Sequence, residues 1–126
     1  MLMDSKNKSI LLVDDEPMLL EVMVTVLEAG GYTCITAGAG LEAIEIYRQN
    51  QDQIAAVVLD LGLPDYLGQD VFAAMRQINP DARIIVASGA IDPDVQNQLT
   101  RAGCKHFVEK PYNIAELLQA LKTPSA

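Results

Sequence analysis

Residues 10–17 read ILLVDDEP and combine the two features from which the fold and the site of this chain can be predicted. The first half, Ile10 to Val13, is a short apolar run with β-branched residues, which is typical of a strand buried on both faces of a sheet. The second half places three acids in a row before Pro17, a residue that is favoured at the first position of a helix. The stretch therefore predicts a buried strand that ends in carboxylates and leads into a helix.

Four further segments predict strands. The continuous apolar runs at residues 54–59 and 83–87 have the same character as the first strand, so we expect them to be buried on both faces. The segments at residues 32–36 and 106–108 are shorter and more mixed in polarity, and they suit the edges of a sheet.

Apolar residues at helical spacing separate these strands. The first helix is predicted to begin at Pro17 and to end at Gly30-Gly31, and the last is predicted to be capped by Asn113. Residues 93–102 carry only a thin apolar stripe, so this helix is expected to pack most loosely. The apolar stripes, in chain order, are Leu19, Met23, Val26 and Leu27; Leu41, Ile44 and Tyr47; Val71, Met75 and Ile78; Val95 and Leu99; and Ile114, Leu117, Leu118 and Leu121.

Strict alternation of strands and helices over 126 residues predicts one α/β domain, a doubly wound parallel sheet with helices on both faces. We expect this domain to span residues 9–122, between a flexible segment at 1–8 and a tail at 123–126. In such sheets, binding and chemistry occur at the carboxyl ends of the strands.

Composition excludes several classes of function. The net charge of −8 disfavours direct binding to nucleic acid or to an anionic membrane. No apolar run is long enough to be inserted in a membrane, and residues 1–9 lack the apolar core of a secretion signal. Cys34 and Cys104 lie far apart and without ligand spacing, which favours a reducing, cytoplasmic location over a metal–thiolate site.

Polar residues follow four of the predicted strands and should meet at one edge of the sheet; they are Asp14, Asp15 and Glu16; Asp60; Ser88; and Lys110 with Pro111. Each has an ordinary explanation when taken alone, such as a helix N-terminus, a turn or a solvated charge. Together, clustered carboxylates need a cation, and Mg²⁺ prefers such oxygen ligands. An aspartate beside a metal, a lysine and a hydroxyl is suited to forming an aspartyl phosphate.

At this point the sequence resembles the receiver domains of two-component response regulators. The matching segments are ILLVDDEP, VVLDLGLPDYLG at 57–68, IIVASGA at 84–90 and FVEKP at 107–111, and the resemblance extends from Ile10 to Leu121. It implies a flavodoxin-like (βα)5 fold whose five parallel strands have the order 2-1-3-4-5. This order would place Cys34 and Cys104 at opposite edges of the sheet, where they could not form a disulfide.

The resemblance also implies a metal site. Asp60 would be the phospho-acceptor and a ligand of Mg²⁺, for which Mn²⁺ could substitute. Asp15 would be the direct carboxylate ligand, Asp14 would act through a water molecule, and Gly62 would offer its backbone carbonyl.

Four other residues receive roles in phosphoryl binding and switching from the same resemblance. Lys110 and the hydroxyl of Ser88 would each hold a phosphoryl oxygen. Pro111 would follow a cis peptide bond that directs the lysine inward. Phe107 would be an aromatic switch acting by burial alone, since it lacks a tyrosine hydroxyl; the competing interpretation is an ordinary edge-strand core residue.

The implied function is a phosphorylation-dependent signalling switch in a phosphorelay, not an enzyme with a separate substrate. Its partners would be a histidine kinase or a histidine phosphotransfer protein, and a downstream protein bound by the face of the fourth helix, fifth strand and fifth helix. The domain would be a monomer or a weak homodimer. The segment SGAIDPDVQNQL at 88–99 further resembles receivers attached to hybrid histidine kinases.

Three alternatives remain open from the residues alone. A phosphatase of the haloacid-dehalogenase type uses similar groups, but it would have a DxD pattern where this chain has adjacent acids. A flavodoxin-like binder of flavin would need a phosphate-cradling loop where the three acids stand. A degenerate receiver acting as a scaffold would lack a key residue, and none is missing.

Overall fold

The structure, a computed structural model, describes residues 8–122. Residues 1–7 and 123–126 lie outside this range, and with them all but the last residue of the predicted segment at 1–8 and the whole predicted tail. Within it the chain forms five strands and five helices. They are β1 (Ser9–Val13), α1 (Pro17–Ala29), β2 (Thr33–Ala37), α2 (Gly40–Asn50), β3 (Ile54–Asp60), α3 (Gly68–Ile78), β4 (Ile84–Ser88), α4 (Pro93–Arg101), β5 (His106–Glu109) and α5 (Ile114–Lys122). A short 3₁₀ turn, Gln51–Gln53, precedes β3.

The five strands form one parallel sheet in the order β2-β1-β3-β4-β5, as the sequence resemblance implied. β3 lies at the centre, and its last residue, Asp60, pairs with Ala87 of β4. β2 and β5 are the edge strands, in agreement with their mixed composition. Because all strands run the same way, the residues that follow them meet at one edge of the sheet.

Alternate residues of the inner strands enter two separate cores, which is why their sequences are continuously apolar. In β1, Leu11 and Val13 pack with α2, α3 and α4, whereas Ile10 and Leu12 pack on the opposite face with α1 and α5. The side chain of Phe72 in the first core is 1% exposed and that of Leu117 in the second is completely buried. The sheet is thus covered by helices on both faces, as predicted.

Helix ends follow the predicted signals. α1 ends in a Schellman motif, in which the amides of Gly31 and Tyr32 donate to the carbonyls of Glu28 and Leu27, both at 3.0 Å. Gly31 has a φ of 94°, a left-handed conformation that glycine adopts without a steric penalty. At the other end of the chain, Asn113 caps α5 by accepting a 3.1 Å hydrogen bond from the amide of Glu116.

The prediction that Leu41 belongs to the buried stripe of α2 is wrong. Leu41 is 53% exposed, and the buried residues of α2 are Gly40, Ala43, Ile44 and Tyr47. A β-carbon at position 40 would lie only 2.8 Å from Cβ of Tyr66. Glycine is required on the buried side because the loop after β3 lies so close, and Leu41 is left facing solvent.

The positions of the two cysteines and the thin buried stripe of α4 agree with the predictions. Cys34 in β2 and Cys104 just before β5 belong to opposite edges of the sheet, and both are free thiols. Leu99 is the one fully buried residue of α4. None of the helices within residues 8–122 combines the length and the apolar character needed to cross a membrane.

Candidate functional site

Three carboxylates converge at the carboxyl edge of the sheet. Asp60 ends β3 and Asp14 follows β1, and both are buried, with 5% and 3% of their surface exposed. The amide of Asp14 donates a 3.0 Å hydrogen bond to the carbonyl of Ala37, which fixes the chain beyond β1. Asp15 is exposed, yet Asp14, Asp15 and Asp60 each offer one oxygen such that all three lie within 4.8 Å of one another.

Lys110 extends from β5 into the same cluster. Its backbone amide donates a 2.9 Å hydrogen bond to the carbonyl of Ser88, which continues the pairing of β4 and β5. Its Nζ lies 2.7 Å from Oδ2 of Asp14 and 3.4 Å from Oδ1 of Asp60. The peptide bond between Lys110 and Pro111 is cis. The lysine is therefore the cation that compensates the two buried carboxylates.

Burial and neighbouring charges shift the ionisation of the central pair. Burial raises the pKa of Asp60 above its usual value, and although hydrogen bonds from the Gly62 amide and from Lys110 oppose this rise, the Asp14 charge adds to it. Burial alone would lower the pKa of Lys110, but the carboxylates of Asp14 and Asp60 raise it overall. Lys110 thus stays charged, while a further cation would favour the ionised form of Asp60.

The residues present fit a divalent cation held by oxygen ligands. Both oxygens of Asp14 are already engaged, Oδ1 by the amide of Glu16 at 3.0 Å and Oδ2 by Lys110. A carboxylate accepts at about four lone-pair sites, so Asp14, Asp15 and Asp60 each keep sites for the ion or for a water molecule bound to it. The donor set suits Mg²⁺, which binds through one or two carboxylates and keeps several water molecules.

The structure corrects the expected position of Glu16 and shows the surroundings of Gly62. Glu16, expected at the same edge of the sheet as Asp14 and Asp15, is exposed and is not among the three clustered carboxylates. Gly62 lies beside Asp60, and its backbone amide partly offsets the rise that burial causes in the pKa of the Asp60 carboxyl. A β-carbon on Gly62 would lie 3.6 Å from Oδ2 of Asp60.

Ser88 and Phe107 lie on the neighbouring strands β4 and β5, and Ser88 follows Ala87, the residue of β4 that pairs with Asp60. Ser88 ends β4 and Phe107 lies in β5, and both are half-buried. They line one cavity of about 490 Å³, together with Ile91 and Gln96 from the segment leading into and through α4. The cavity provides space next to both side chains on the face formed by α4, β5 and α5.

Sequence reasoning missed two neighbours of the site. Tyr112 lies over the aliphatic core with its ring centre 5.9 Å from Nζ of Lys110, and burial together with the charges of Asp14, Asp60 and Glu16 raises its pKa. Asp65, in the loop after β3, accepts hydrogen bonds from the amides of Gly40 at 2.7 Å and Leu41 at 3.0 Å. Tyr112 could have been predicted as a neighbour of the site from the sequence, because it lies two positions after Lys110. The contact of Asp65 with α2 could not, because it depends on the tertiary fold.

Comparisons with known proteins agree with this geometry. A family model described as response regulator receiver domain matches residues 10–122. The probable transcriptional regulatory protein TcrX of Mycobacterium tuberculosis is 36% identical over 94% of this chain and 50% of its own length. This chain spans about half the length of the first curated relatives that it matches.

Solved structures share the fold. The receiver domain protein from Clostridium thermocellum has a TM-score of 0.86 and 27% identity, with 90% of each chain covered. A response regulator protein from Burkholderia pseudomallei, whose crystal structure has a phosphorylated aspartic acid, a calcium ion and citrate, has a TM-score of 0.82 and 27% identity; 94% of this chain and 68% of that chain are covered.

Proposed function

Because this chain belongs to the response regulator receiver domain family, a family of phosphoryl-accepting switches in two-component signalling, we propose that Asp60 is its phospho-acceptor. The observation that carries the proposal is the position of Asp60 at the end of the central strand. Its carboxylate lies 3.4 Å from the Lys110 ammonium and within 4.8 Å of oxygens from Asp14 and Asp15. Family membership supports the receiver role over the phosphatase and flavin-binding alternatives.

The proposed reaction is transfer of a phosphoryl group from a phosphohistidine of a partner protein. An oxygen of Asp60 forms a new P–O bond, the P–N bond of the phosphohistidine breaks, and the histidine nitrogen keeps the electron pair. Lys110 neutralises part of the charge on the phosphoryl oxygens, and the hydroxyl of Ser88 donates a hydrogen bond to another of them. The domain catalyses only the gain and loss of its own phosphoryl group.

A divalent cation, Mg²⁺ or Mn²⁺ in its place, would supply the remaining positive charge when bound. Asp15 and Asp60 would hold it directly and the Gly62 carbonyl would complete the protein ligands. Asp14, whose two oxygens are hydrogen-bonded to Glu16 and Lys110, would act through a water molecule. Lys110 would then shift its hydrogen bonding from the carboxylates toward the phosphoryl oxygens.

The signal is proposed to leave the site through Ser88 and Phe107. The phosphoryl group carries about −1.5 to −2 charges at one point. Drawing the Ser88 hydroxyl toward this group changes the lining of the cavity that the hydroxyl shares with Phe107. Burial of the Phe107 ring in the vacated space would favour a second arrangement of the face formed by α4, β5 and α5. That face would bind the downstream protein.

The wider assignments follow from the same role. We propose that the partners are a histidine kinase or a histidine phosphotransfer protein, that the domain comprises residues 9–122, and that it acts in the cytoplasm as a monomer or weak homodimer. The net charge of −8 supports a protein partner rather than direct binding to nucleic acid.

The test is phosphorylation by phosphoramidate, which carries the P–N bond of a phosphohistidine, with Mg²⁺ present and intact mass as the readout. The wild-type chain is expected to gain one phosphoryl group, and Asp60→Asn is expected to gain none because an amide is not a nucleophile here. Asp52→Asn, at an exposed aspartate in the turn before β3, is the matched control. Equal labelling of Asp60→Asn and wild type would overturn the assignment.

A further inference from the structure

The helix α2 is capped by a residue that lies outside it. The residue before its first turn is Ala39, whose methyl side chain has no hydrogen-bond acceptor to offer the free amides of the helix. Asp65, 25 positions after Gly40 and in the loop that follows β3, supplies both acceptors. Its Oδ1 accepts a 2.7 Å hydrogen bond from the amide of Gly40, and its Oδ2 accepts a 3.0 Å bond from the amide of Leu41.

The loop that carries Asp65, residues 61–67, is packed closely against α2 at one end and against the sheet at the other. A β-carbon at Gly40 would lie 2.8 Å from Cβ of Tyr66 and 3.2 Å from Oδ1 of Asp65. At the start of the loop, the amide of Leu61 donates a 3.1 Å hydrogen bond to a carbonyl of β4. The loop therefore has one attachment to the sheet and a second, through Asp65, to the start of α2.

Gly62 lies between these two attachments and directly beside the proposed phospho-acceptor. A β-carbon on Gly62 would lie 3.6 Å from Oδ2 and 3.9 Å from Oδ1 of Asp60. The position of the Gly62 backbone relative to that carboxylate therefore depends on both ends of the loop being held.

The start of α2 is itself attached to the acidic segment after β1. The carbonyl of Ala37 accepts the amide of Asp14 at 3.0 Å. The next residue, Gly38, donates its amide to the carboxylate of Glu42 in the first turn of α2 at 2.7 Å. The connection between β2 and α2 is thus tied to Asp14 on one side and, through Asp65, to the loop after β3 on the other.

We propose that Asp65 is a positioning residue for the phosphoryl site, which holds the loop at 61–67 so that the backbone of Gly62 stays beside Asp60. This role rests on the proposed function, in which the Gly62 carbonyl is a metal ligand. Asp65 is exposed and is not one of the three clustered carboxylates, so it acts through the loop and not by ligation. Without the cap, binding of a metal ion must also order the loop, and that entropy cost lowers the affinity.

The first test measures the loop without metal or phosphodonor. The ¹H–¹⁵N heteronuclear NOE of the Gly62 and Leu63 amides, recorded on the full 126-residue chain in EDTA, reports fast backbone motion. Asp65→Ala should lower both values, and Asp65→Asn, which keeps one side-chain acceptor, should fall between Asp65→Ala and wild type. Unchanged values in Asp65→Ala would overturn the proposal.

The second test is Mg²⁺ affinity by isothermal titration calorimetry. Asp65→Ala should weaken binding about tenfold, a loss typical of residues that support metal ligands, and Asp65→Asn should weaken it less. Two controls should keep the wild-type affinity. Asp70→Asn removes one negative charge from the exposed first turn of α3, and Asn79→Ala removes side-chain hydrogen bonds with Tyr47 and Asp81 at the other end of that helix.

The controls separate positioning from two simpler effects. A loss in Asp70→Asn equal to that in Asp65→Ala would show that any nearby negative charge supports Mg²⁺ binding. An equal loss in Asn79→Ala would show that any destabilisation of the fold weakens it. Either result would overturn the proposal.

Labelling of the wild-type chain by phosphoramidate distinguishes failure of this role from failure of the proposed function. If the wild type gains no phosphoryl group, the proposed function is wrong, and the amide measurements still decide whether Asp65 holds the loop. If the wild type is labelled while Asp65→Ala keeps wild-type amide motion and Mg²⁺ affinity, the role of Asp65 alone is wrong.

Discussion

The side chain of Lys110 donates a 2.7 Å hydrogen bond to the carboxylate of Asp14, although 96 positions separate the two residues in the sequence. The bond joins the ends of β1 and β5, and the same ammonium group lies 3.4 Å from Asp60 at the end of β3. A single cation therefore compensates two buried carboxylates from two strands. A metal ion that binds Asp14 or Asp60 therefore competes with Lys110 for their oxygens, and a phosphoryl group competes with these carboxylates for Lys110.

Removal of the Lys110 charge should impair phosphoryl transfer more than folding. Lys110→Gln leaves Asp14 and Asp60 without their shared counter-charge and withdraws a donor from the phosphoryl oxygens. We expect the rate of phosphorylation by phosphoramidate to fall about one hundredfold, measured by intact mass against time. Lys122→Gln, at an exposed lysine at the end of α5, provides the control and should react at the wild-type rate.

The affinity for Mg²⁺ should depend on Asp15 and not on Glu16, the next residue in the sequence. Asp15 offers an oxygen to the carboxylate cluster, whereas Glu16 does not. Asp15→Asn is expected to weaken Mg²⁺ binding about tenfold or more, as measured by isothermal titration calorimetry. Glu16→Gln removes the same charge one position away and should retain the wild-type affinity; equal losses in the two variants would show a general charge effect in place of ligation.

Asp65 should contribute stability that disappears in acid. Hydrogen bonds from the amides of Leu41 and Gly40 hold the pKa of this carboxyl below its usual 3.8. Because the folded-state pKa is lowered, the stabilisation is complete above pH 3.8 and is lost as the pH falls through the lower folded-state value. Asp65→Asn should therefore be less stable than wild type at neutral pH, and the two should converge as the pH falls.

The measurement for Asp65 is the urea midpoint from pH 7 down to pH 2. Asp52→Asn serves as the reference, because Asp52 is exposed in the turn before β3 and lacks the bonds to α2. A wild-type advantage over Asp65→Asn that stays constant throughout this range would contradict the assigned role.

The contact between Gly68 and Leu61 should limit substitution at the start of α3. A β-carbon at position 68 would lie 2.8 Å from Cα of Leu61, the residue that follows Asp60, and in contact with its side chain. Gly68→Ala should destabilise the fold by about 1–3 kcal/mol through overpacking, measured by urea unfolding. At Gly89 a β-carbon meets nothing within 4 Å, so Gly89→Ala should change stability by less than about 0.5 kcal/mol.

Much of the architecture could be predicted because its signals are local. Continuous apolar runs such as Ile54 to Leu59 predicted strands covered on both faces, and the double glycine Gly30-Gly31 predicted where α1 ends. The acidic ends of β1 and β3 could be assigned to one edge because parallel strands share their direction. The strand order came from the family resemblance, since local periodicity does not specify which strands are neighbours.

What the sequence by itself determined is the set of elements, the two faces of each strand and the identity of the residues at the strand ends. Tertiary structure alone decided which residues touch, such as Lys110 with Asp14 and Asp65 with the start of α2. It also decided that Leu41 is exposed and Gly40 buried. The physical reason is that periodicity records which side of an element is apolar, whereas these contacts depend on ångström-scale distances between segments far apart in the chain.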